Sequence, residues 1–136
     1  MSGEIRFVKD LSETAAYRVT KPEGCNRTVA ILLDKFDGAK NISMGMCIID
    51  PQSKIPFHIH ENEEEAMFVL SGEGIFKVGE QEKRICEGSI LFCPPKVGHQ
   101  IINTGNSELR FIFVYGPAGP EQNIKKVGEM IGTMKK

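Results

Sequence analysis

The stretch HIHENEEEAMFVLSG, residues 58–72, decides the fold and the candidate chemistry of this chain. His58 and His60 stand two positions apart in a predicted strand, Ile55–His60, so both side chains point to one face. An acidic turn follows, and the next predicted strand begins at Glu65, beside the end of the histidine strand. Two imidazoles and one carboxylate can therefore meet above one face of a sheet.

A third histidine, His99, begins another predicted strand after a Pro-Pro turn, and the chain has three histidines in total. Neutral imidazole is the commonest metal ligand in proteins, and a carboxylate can add an oxygen ligand. The alternative interpretation is three unrelated histidines and an exposed acidic turn. The pair His58 and His60 does not by itself distinguish the two interpretations.

Closely spaced turn residues divide the chain into short runs rich in Val, Ile and Phe. Many short strands at such spacing are typical of an antiparallel β-sandwich or β-barrel. The predicted strands are Arg27–Leu33, Ile42–Ile49, Ile55–His60, Glu65–Ser71, Gly74–Val78, Glu82–Ile85, Ser89–Cys93, His99–Asn103 and Glu108–Tyr115.

The two ends of the chain differ from this pattern. Apolar residues at positions 5, 7, 17 and 19 favour edge strands or an arm before the first predicted strand. Pro120 suits the first position of a helix, because its missing N–H needs no partner there. The apolar residues after it fall at helical spacing and predict a helical tail over 120–136: Ile124, Val127, Ile131 and Met134.

Composition excludes several classes of protein. The 136 residues carry 17 Lys and Arg against 18 Asp and Glu, a formal net charge of −1. This balance argues against a basic nucleic-acid-binding surface. No apolar run approaches the about 20 residues that span a bilayer, and residues 1–6 do not resemble a signal peptide. A cytoplasmic location is therefore expected.

The four cysteines form no C-x-x-C pair, and free thiols are expected in that compartment. We interpret three of them as small buried apolar residues: Cys47, Cys86 and Cys93. No cysteine is expected to have a histidine partner, which argues against Cys–His nucleophilic catalysis.

The spacing of these residues resembles the two motifs of the cupin superfamily, G-x5-H-x-H-x(3,4)-E-x6-G and G-x5-P-x-G-x2-H-x3-N. The matching residues are His58, His60, Glu65 and Gly72 in the first motif, and Gly88, Pro94, His99 and Asn103 in the second. Gln52 and Lys96 stand where the family has turn glycines, at positions where a positive φ is expected.

The resemblance implies an all-β fold: one antiparallel jelly-roll barrel, or double-stranded β-helix, with a short C-terminal helix. The single cupin domain is expected over 1–136. Its conserved barrel covers about 44–117, an N-terminal arm or strands cover 1–43, and the helical tail covers 120–136.

By the same resemblance, one divalent transition metal is expected on His58, His60, Glu65 and His99. Three nitrogens and one oxygen suit Fe, Mn, Ni, Zn, Co or Cu, and ligand type does not choose among them. Strand alternation adds candidate walls for a pocket beside the ion: Met67, Ile101, Phe111 and Phe113. Structural roles are favoured over ligand contacts for Asn103 and Tyr115.

Two functions remain open. The first is a metalloenzyme acting on a small oxygen-rich metabolite such as a carboxylate, hydroxy-ketone or sugar, as a dioxygenase, isomerase, lyase or decarboxylase. The second is a non-catalytic module that binds or senses a sugar or organic acid. No catalytic residue is assigned.

Inward-pointing histidines leave the opposite faces of two strands apolar, and a sheet face in water is usually polar. The outward-facing residues are Ile55, Phe57, Ile59, Ala66, Phe68 and Leu70. The arm, the tail or a second subunit must cover them. We expect a homodimer whose interface includes Ile5–Val8 or Val29–Leu33, with a small molecule as the other partner.

Overall fold

The computed structural model describes residues 5–135; residues 1–4 of the predicted arm and residue 136 of the predicted tail lie outside this range. The strands are β1 Ala15–Val19, β2 Arg27–Leu33, β3 Ser43–Ile49, β4 Glu64–Ser71, β5 Glu73–Val78, β6 Gln81–Cys86, β7 Ile90–Cys93, β8 His99–Asn103, β9 Leu109–Gly116 and β10 Glu129–Thr133. One short helix, α1, covers Ile124–Val127, and 3-10 turns cover Leu11–Glu13, Lys35–Asp37 and Pro120–Asn123.

The strands form two antiparallel sheets. The large sheet has the order β10-β1-β2-β3-β9-β4-β7, and the small sheet has the order β6-β5-β8. One apolar core joins them, with Phe111 and Met67 from the large sheet and Phe76 and Ile101 from the small sheet. The predicted all-β jelly-roll class with a short helix near the C-terminus is confirmed. Within residues 5–135, no helix has the length and apolarity needed to cross a membrane.

Alternation along β4 and β9 sets the inner and outer faces of the large sheet. Buried and exposed residues alternate from Glu64 to Leu70, so Glu65, Met67 and Val69 point inward. The same alternation buries every second residue of β9 from Leu109 onward. The inward-facing side chains of β4 and β9 pack in the core, whereas the outward-facing side chains can be buried only by another part of the chain or by another molecule.

The predicted strand Ile55–His60 is wrong as a regular strand. This segment has two isolated bridges to β8, Lys54 with Ile102 and His58 with His99. The bridges are four positions apart on the segment but three apart on β8, so the segment holds one extra residue. Pro56 has no N–H to donate to a ladder, which explains why pairing is interrupted there.

The extra residue changes which side chains of this segment point inward. Phe57 and Ile59 are exposed, as alternation from the histidines predicts. Ile55, expected to face outward, packs against the core instead. A regular strand would keep Ile55, Phe57 and Ile59 on one face, whereas the irregular segment separates the first from the other two.

The predicted helical tail is wrong beyond Val127. A 3-10 turn begins at Pro120 and continues into α1, but the chain then forms β10, which pairs antiparallel with β1. A Cβ on Gly128 would lie 2.9 Å from the carbonyl oxygen of Ile124 and 3.0 Å from Cβ of Tyr17. The glycine therefore permits the close approach that lets the tail join the sheet. Ile131, expected to dock as part of a helical stripe, is exposed.

Cover over the outer face of the large sheet is incomplete. Over β1–β3, Met134 is buried in a second apolar cluster, and Leu11 packs against it. Over β4 and β7, four large side chains remain exposed, which we call the outer patch: Phe68 at 46%, Leu70 at 38%, Ile90 at 79% and Phe92 at 52%. Among the described residues, the chain's own arm and tail therefore cover β1–β3 but leave the outer patch exposed.

Gln52 and Lys96 adopt the backbone conformation of the glycines that they replace in the family motifs. Their φ angles are 60° and 69°, and no other non-glycine residue in the described range has a positive φ. The side chain of Gln52 donates to the carbonyl oxygens of Thr104 and Gly105 at 3.1 and 2.8 Å. The backbone N–H of Lys96 donates to the carbonyl of His60 at 2.7 Å. The turn around Lys96 thus holds one end of the histidine segment.

Lys96→Gly is expected to raise the free energy of unfolding by about 0.5–1 kcal/mol. A left-handed residue with a Cβ costs about 1–2 kcal/mol, and the greater entropy of glycine in the unfolded chain offsets part of the gain from removing that cost. Urea denaturation followed by circular dichroism measures the change. Lys96→Ala is the matched control, because it removes the same side chain but keeps the Cβ. Equal stability of the two variants would contradict the prediction.

Candidate metal centre

Four potential ligands come from three segments: one strand of the large sheet, one strand of the small sheet, and the irregular segment beside the small sheet. Glu65 is the second residue of β4 in the large sheet, and His99 begins β8 in the small sheet. His58 and His60 come from the irregular segment beside β8. Reciprocal backbone hydrogen bonds of 3.0 and 2.9 Å between His58 and His99 hold the irregular segment against β8 at this point. The site therefore lies where the two sheets meet.

The donor atoms of these four side chains all lie within 4.8 Å of one another. The imidazole centroids of His58 and His99 are 4.2 Å apart, and those of His58 and His60 are 4.8 Å apart. Nε2 of His99 lies 3.0 Å from Oε1 of Glu65. Glu65 and His99 are buried, while His58 and His60 are half-buried. One cation can contact all four groups.

Backbone carbonyls fix the orientation of two imidazoles. Nδ1 of His58 lies 2.8 Å from the carbonyl of Pro56, and Nδ1 of His99 lies 3.2 Å from that of Val97. A carbonyl only accepts, so Nδ1 of His58 carries the hydrogen and its Nε2 has an unshared electron pair. Nδ1 of His99 also lies 3.1 Å from Sγ of Cys93, so the contacts of His99 fit either tautomer. Such a hydrogen bond to the second ring nitrogen is the usual arrangement around metal-ligating histidines.

One ring nitrogen of the site lacks the hydrogen-bond partner that a buried polar atom normally has. Nε2 of His60 is buried and has no hydrogen-bond partner among residues 5–135. Its distance to Oε1 of Glu65 is 3.7 Å, too long for a hydrogen bond. Nε2 of His99 lies 3.0 Å from Oε1 of Glu65: with its hydrogen on Nε2 it donates to that carboxylate, and with its hydrogen on Nδ1 it offers an electron pair to a cation. The residues present therefore fit a divalent metal ion.

Burial keeps the histidines in the neutral form that binds metals. Burial lowers the pKa of His58 from its ordinary 6.5 to about 4, opposed in part by the hydrogen bond to Pro56. Burial also lowers the pKa of His60, although the nearby Glu65 carboxylate acts in the opposite direction. Both imidazoles are therefore unprotonated near neutral pH.

A cavity of about 530 Å³ opens onto these four side chains. All four residues named as pocket candidates from strand alternation line it: Met67, Ile101, Phe111 and Phe113. Tyr115 also lines it, with its ring centroid 5.1 Å from that of His60, and burial raises the pKa of its hydroxyl. The predominantly apolar wall lowers the local dielectric and strengthens electrostatic interactions inside the cavity.

Several lining residues were not predicted from the sequence. Arg27 lies two positions before Val29 in β2, so both side chains face inward and line the cavity. An arginine at an inward-facing position of a predicted strand is the sequence signal for this residue. Glu121 lines the cavity from the 3-10 turn after Pro120, and its carboxylate accepts hydrogen bonds from Ser43 and Gly119. Nothing in the spacing of the tail indicated that position.

Two expectations about cysteines need correction. Cys86 is exposed, because it ends an edge strand whose outer residues face solvent. Cys93 does have a histidine partner, since its sulfur lies 3.1 Å from Nδ1 of His99. Burial raises the pKa of the Cys93 thiol to about 11, so the thiol stays protonated and is a poor nucleophile. All four cysteines are free thiols.

Asn103 braces the end of β8. Its side-chain amide lies within 3.0 Å of the carbonyl oxygens of Ile49, Asp50 and Ser107, and its side-chain oxygen accepts from the N–H of Gly105. With 1% of its surface exposed, it stabilises the turn instead of contacting the cavity.

Comparisons with known proteins add three findings. A model of the Cupin domain family matches residues 45–115. Protein SchB of Streptomyces halstedii is 30% identical over 98 residues, which are 72% of this chain and 71% of that protein. An oxalate-binding protein of Thermotoga maritima is 36% identical over 66 residues, which are 48% of this chain and 54% of that relative.

Among solved structures, a predicted oxalate decarboxylase from Thermotoga maritima superposes with a TM-score of 0.74 at 30% sequence identity. The superposition covers 82% of this chain and all of that chain.

The metal-free protein is expected to lose stability as the pH falls from 6.5 towards 5. His58 has a lower pKa in the folded protein than in the unfolded chain, so the unfolded chain binds more protons in this range and acid favours unfolding. Each such histidine contributes a slope of at most about 1.4 kcal/mol per pH unit. Urea denaturation in the presence of a chelator measures it. His58→Asn should flatten the slope, and an unchanged slope would refute this account.

Proposed function

This chain belongs to the cupin family, and we propose that it binds one divalent transition metal through His58, His60, Glu65 and His99. The observation that carries the proposal is the convergence of four potential ligand atoms within 4.8 Å of one another in the lining of a mainly apolar cavity. The orphaned Nε2 of His60 supports it independently.

The choice of metal remains open, because mixed nitrogen and oxygen ligands suit Fe, Mn, Ni, Zn, Co and Cu. A bound ion of this class supplies Lewis-acid chemistry, and iron, manganese or copper also supply redox chemistry. The chain's own residues orient the ligand and exclude water. Met67, Phe111 and Phe113 provide the apolar walls, and the Tyr115 ring packs against His60.

We further propose that the ligand is a small oxygen-rich acid and that the protein is a metal-dependent enzyme. A relative named as oxalate-binding and a structural neighbour described as a predicted oxalate decarboxylase both support a carboxylate as the ligand. Tyr115 is a titratable group on the cavity wall beside the cluster, with its ring centroid 5.1 Å from that of His60. No residue is assigned as a catalytic acid or base.

The second candidate is a non-catalytic binding module, favoured by the name of the oxalate-binding relative. Incubating the metal-loaded protein with oxalate and following both carbon dioxide release and substrate loss distinguishes the two for this acid. Tight binding without turnover supports the module, whereas turnover that is abolished by a chelator supports the enzyme.

We also propose that the protein is a homodimer, with the second copy covering the outer patch. Ile90 and Phe68 lie opposite each other on β7 and β4, and β7 is an edge strand of the large sheet. Exposed apolar residues of the N-terminal arm, Ile5, Phe7 and Val8, supply further surface. Val29, Ala30 and Ile31 are buried within the chain, so the interface uses the arm in preference to β2.

Glu65→Gln is expected to reduce the bound metal from about one ion per chain to a small fraction, because it replaces the charged oxygen ligand with a neutral amide. Elemental analysis of protein purified without added metal measures the content. Glu64→Gln is the matched control, since that neighbouring side chain is exposed on the other face. His60→Ala should lose metal while keeping the native circular dichroism spectrum. Full metal content in both site variants would overturn the assignment.

Phe68→Glu is expected to convert the dimer into a monomer, since it places a charge in the apolar outer patch. Light scattering at micromolar concentration should give twice the 15.1 kDa chain mass for the wild type and the mass of one chain for the variant. Met130→Glu serves as control, because Met130 is 64% exposed on β10, outside the patch. A wild-type protein with the mass of one chain contradicts the dimer.

A further inference from the structure

We propose that Arg27 binds an acidic group of the ligand in a part of the cavity separate from the four donor side chains. The preferred ligand is then a dianion with two separated acidic groups, one held at the metal and the other at the guanidinium. This inference rests on the proposed function, because the first acidic group requires the metal.

The position of Arg27 follows from the register of the large sheet. Inward-facing residues form layers across the strands: Glu65 shares a layer with Tyr115, whereas Arg27 shares one with Ile49 and Leu109. Two intervening layers contain Met67 with Phe113, and Val69 with Phe111, Cys47 and Val29. Each layer step measures about 6.6 Å along a strand. The backbone of Arg27 is therefore well separated from the donor cluster, yet its side chain lines the same cavity.

The guanidinium of Arg27 is only partly satisfied. Nη1 donates to the carbonyl of Cys25 at 2.7 Å and approaches that of Lys21 at 3.4 Å. Nε and Nη2 form no hydrogen bond among residues 5–135, and neither atom is fully buried, so their N–H groups stay accessible. No carboxylate in that range forms an ion pair with Arg27. The residue is 9% exposed. A mostly buried cation that has no ionic partner and keeps accessible N–H groups suits an anion that arrives with the ligand.

Four carboxylates line the cavity, and none of them forms an ion pair with Arg27: Glu61, Glu63, Glu65 and Glu121. Glu65 lies in the donor cluster, and Glu121 accepts hydrogen bonds from Ser43, Gly119 and Gln122 at 2.5 to 2.8 Å. Burial alone would raise the pKa of Glu121, but these hydrogen bonds lower it, so its charge is already stabilised locally. Among the described lining residues, Arg27 is the sole Lys or Arg.

The form of the cation and the size of the cavity define the ligand class. Arginine presents parallel N–H groups that match the two oxygens of a carboxylate. A cavity of about 530 Å³ is in the range that holds ligands considerably larger than oxalate. Apolar side chains separate the two polar ends. The structure therefore favours a dicarboxylate whose acidic groups are joined by an apolar or weakly polar spacer.

Calorimetric titration of the metal-loaded protein tests this inference. The probes are oxalate, succinate, adipate and suberate, with butyrate, hexanoate and octanoate as the monocarboxylates of equal length. At least one of the longer dicarboxylates should bind about tenfold or more tightly than its monocarboxylate, as expected for one charge-assisted hydrogen-bonded pair. Oxalate should not show the effect of Arg27, because it is too short to reach both ends.

Arg27→Gln should abolish the preference for the longer dicarboxylate while leaving the metal content unchanged. Glutamine keeps a polar side chain at this position but is shorter than arginine and carries no charge. Arg84→Gln is the control, since Arg84 is an exposed arginine on β6 outside the cavity. If the Arg27 variant does not fold, the comparison of dicarboxylates with monocarboxylates on the wild type decides.

The outcomes separate this inference from the proposed function. Full metal content with equal affinity for each dicarboxylate and its monocarboxylate overturns the role of Arg27 and leaves the metal site intact. Metal-loaded protein that binds neither series also overturns it. Failure to take up metal refutes the proposed function, and the role of Arg27 with it.

Discussion

The rest of this structure depends on the meeting of Glu65 and His99 at the boundary between two sheets. Nε2 of His99 and Oε1 of Glu65 lie 3.0 Å apart, and both residues are buried. Burial of such groups is unfavourable without a positively charged partner. The sheets therefore converge on a point that a cation stabilises, and His58 and His60 complete the set of donors around it.

Alternation explains how much of this centre could be predicted. Strand periodicity places Glu65, Met67 and Val69 on one face, and the structure follows it because β4 is a regular strand paired on both sides. The same rule fails at Ile55, because the bridges beside Pro56 enclose an extra residue. The spacing of residues in the sequence does not predict this irregularity. It arises because Pro56 has no N–H to donate, while the residues on either side of it still pair with β8.

The tail and the cavity show the corresponding limit for contacts between distant parts of the chain. Helical spacing after Pro120 was correct for one turn, but pairing with β1 determines the conformation after Gly128. Arg27 and Glu121 line the cavity from strands and turns that precede and follow the conserved barrel. Motif spacing identifies residues that act together on one ion, whereas the remainder of the binding surface depends on tertiary contacts outside the motifs.

The pairing of β1 with β10 has a consequence for biosynthesis. Because Ala15 pairs with Thr133, an early strand of the large sheet finds its outer neighbour in a segment that lies 118 positions later in the sequence. Until that segment leaves the ribosome, the nascent chain presents the backbone of β1 as an open edge, the feature that promotes pairing with other chains. The time between the synthesis of β1 and that of β10 thus sets how long each new molecule presents this open edge.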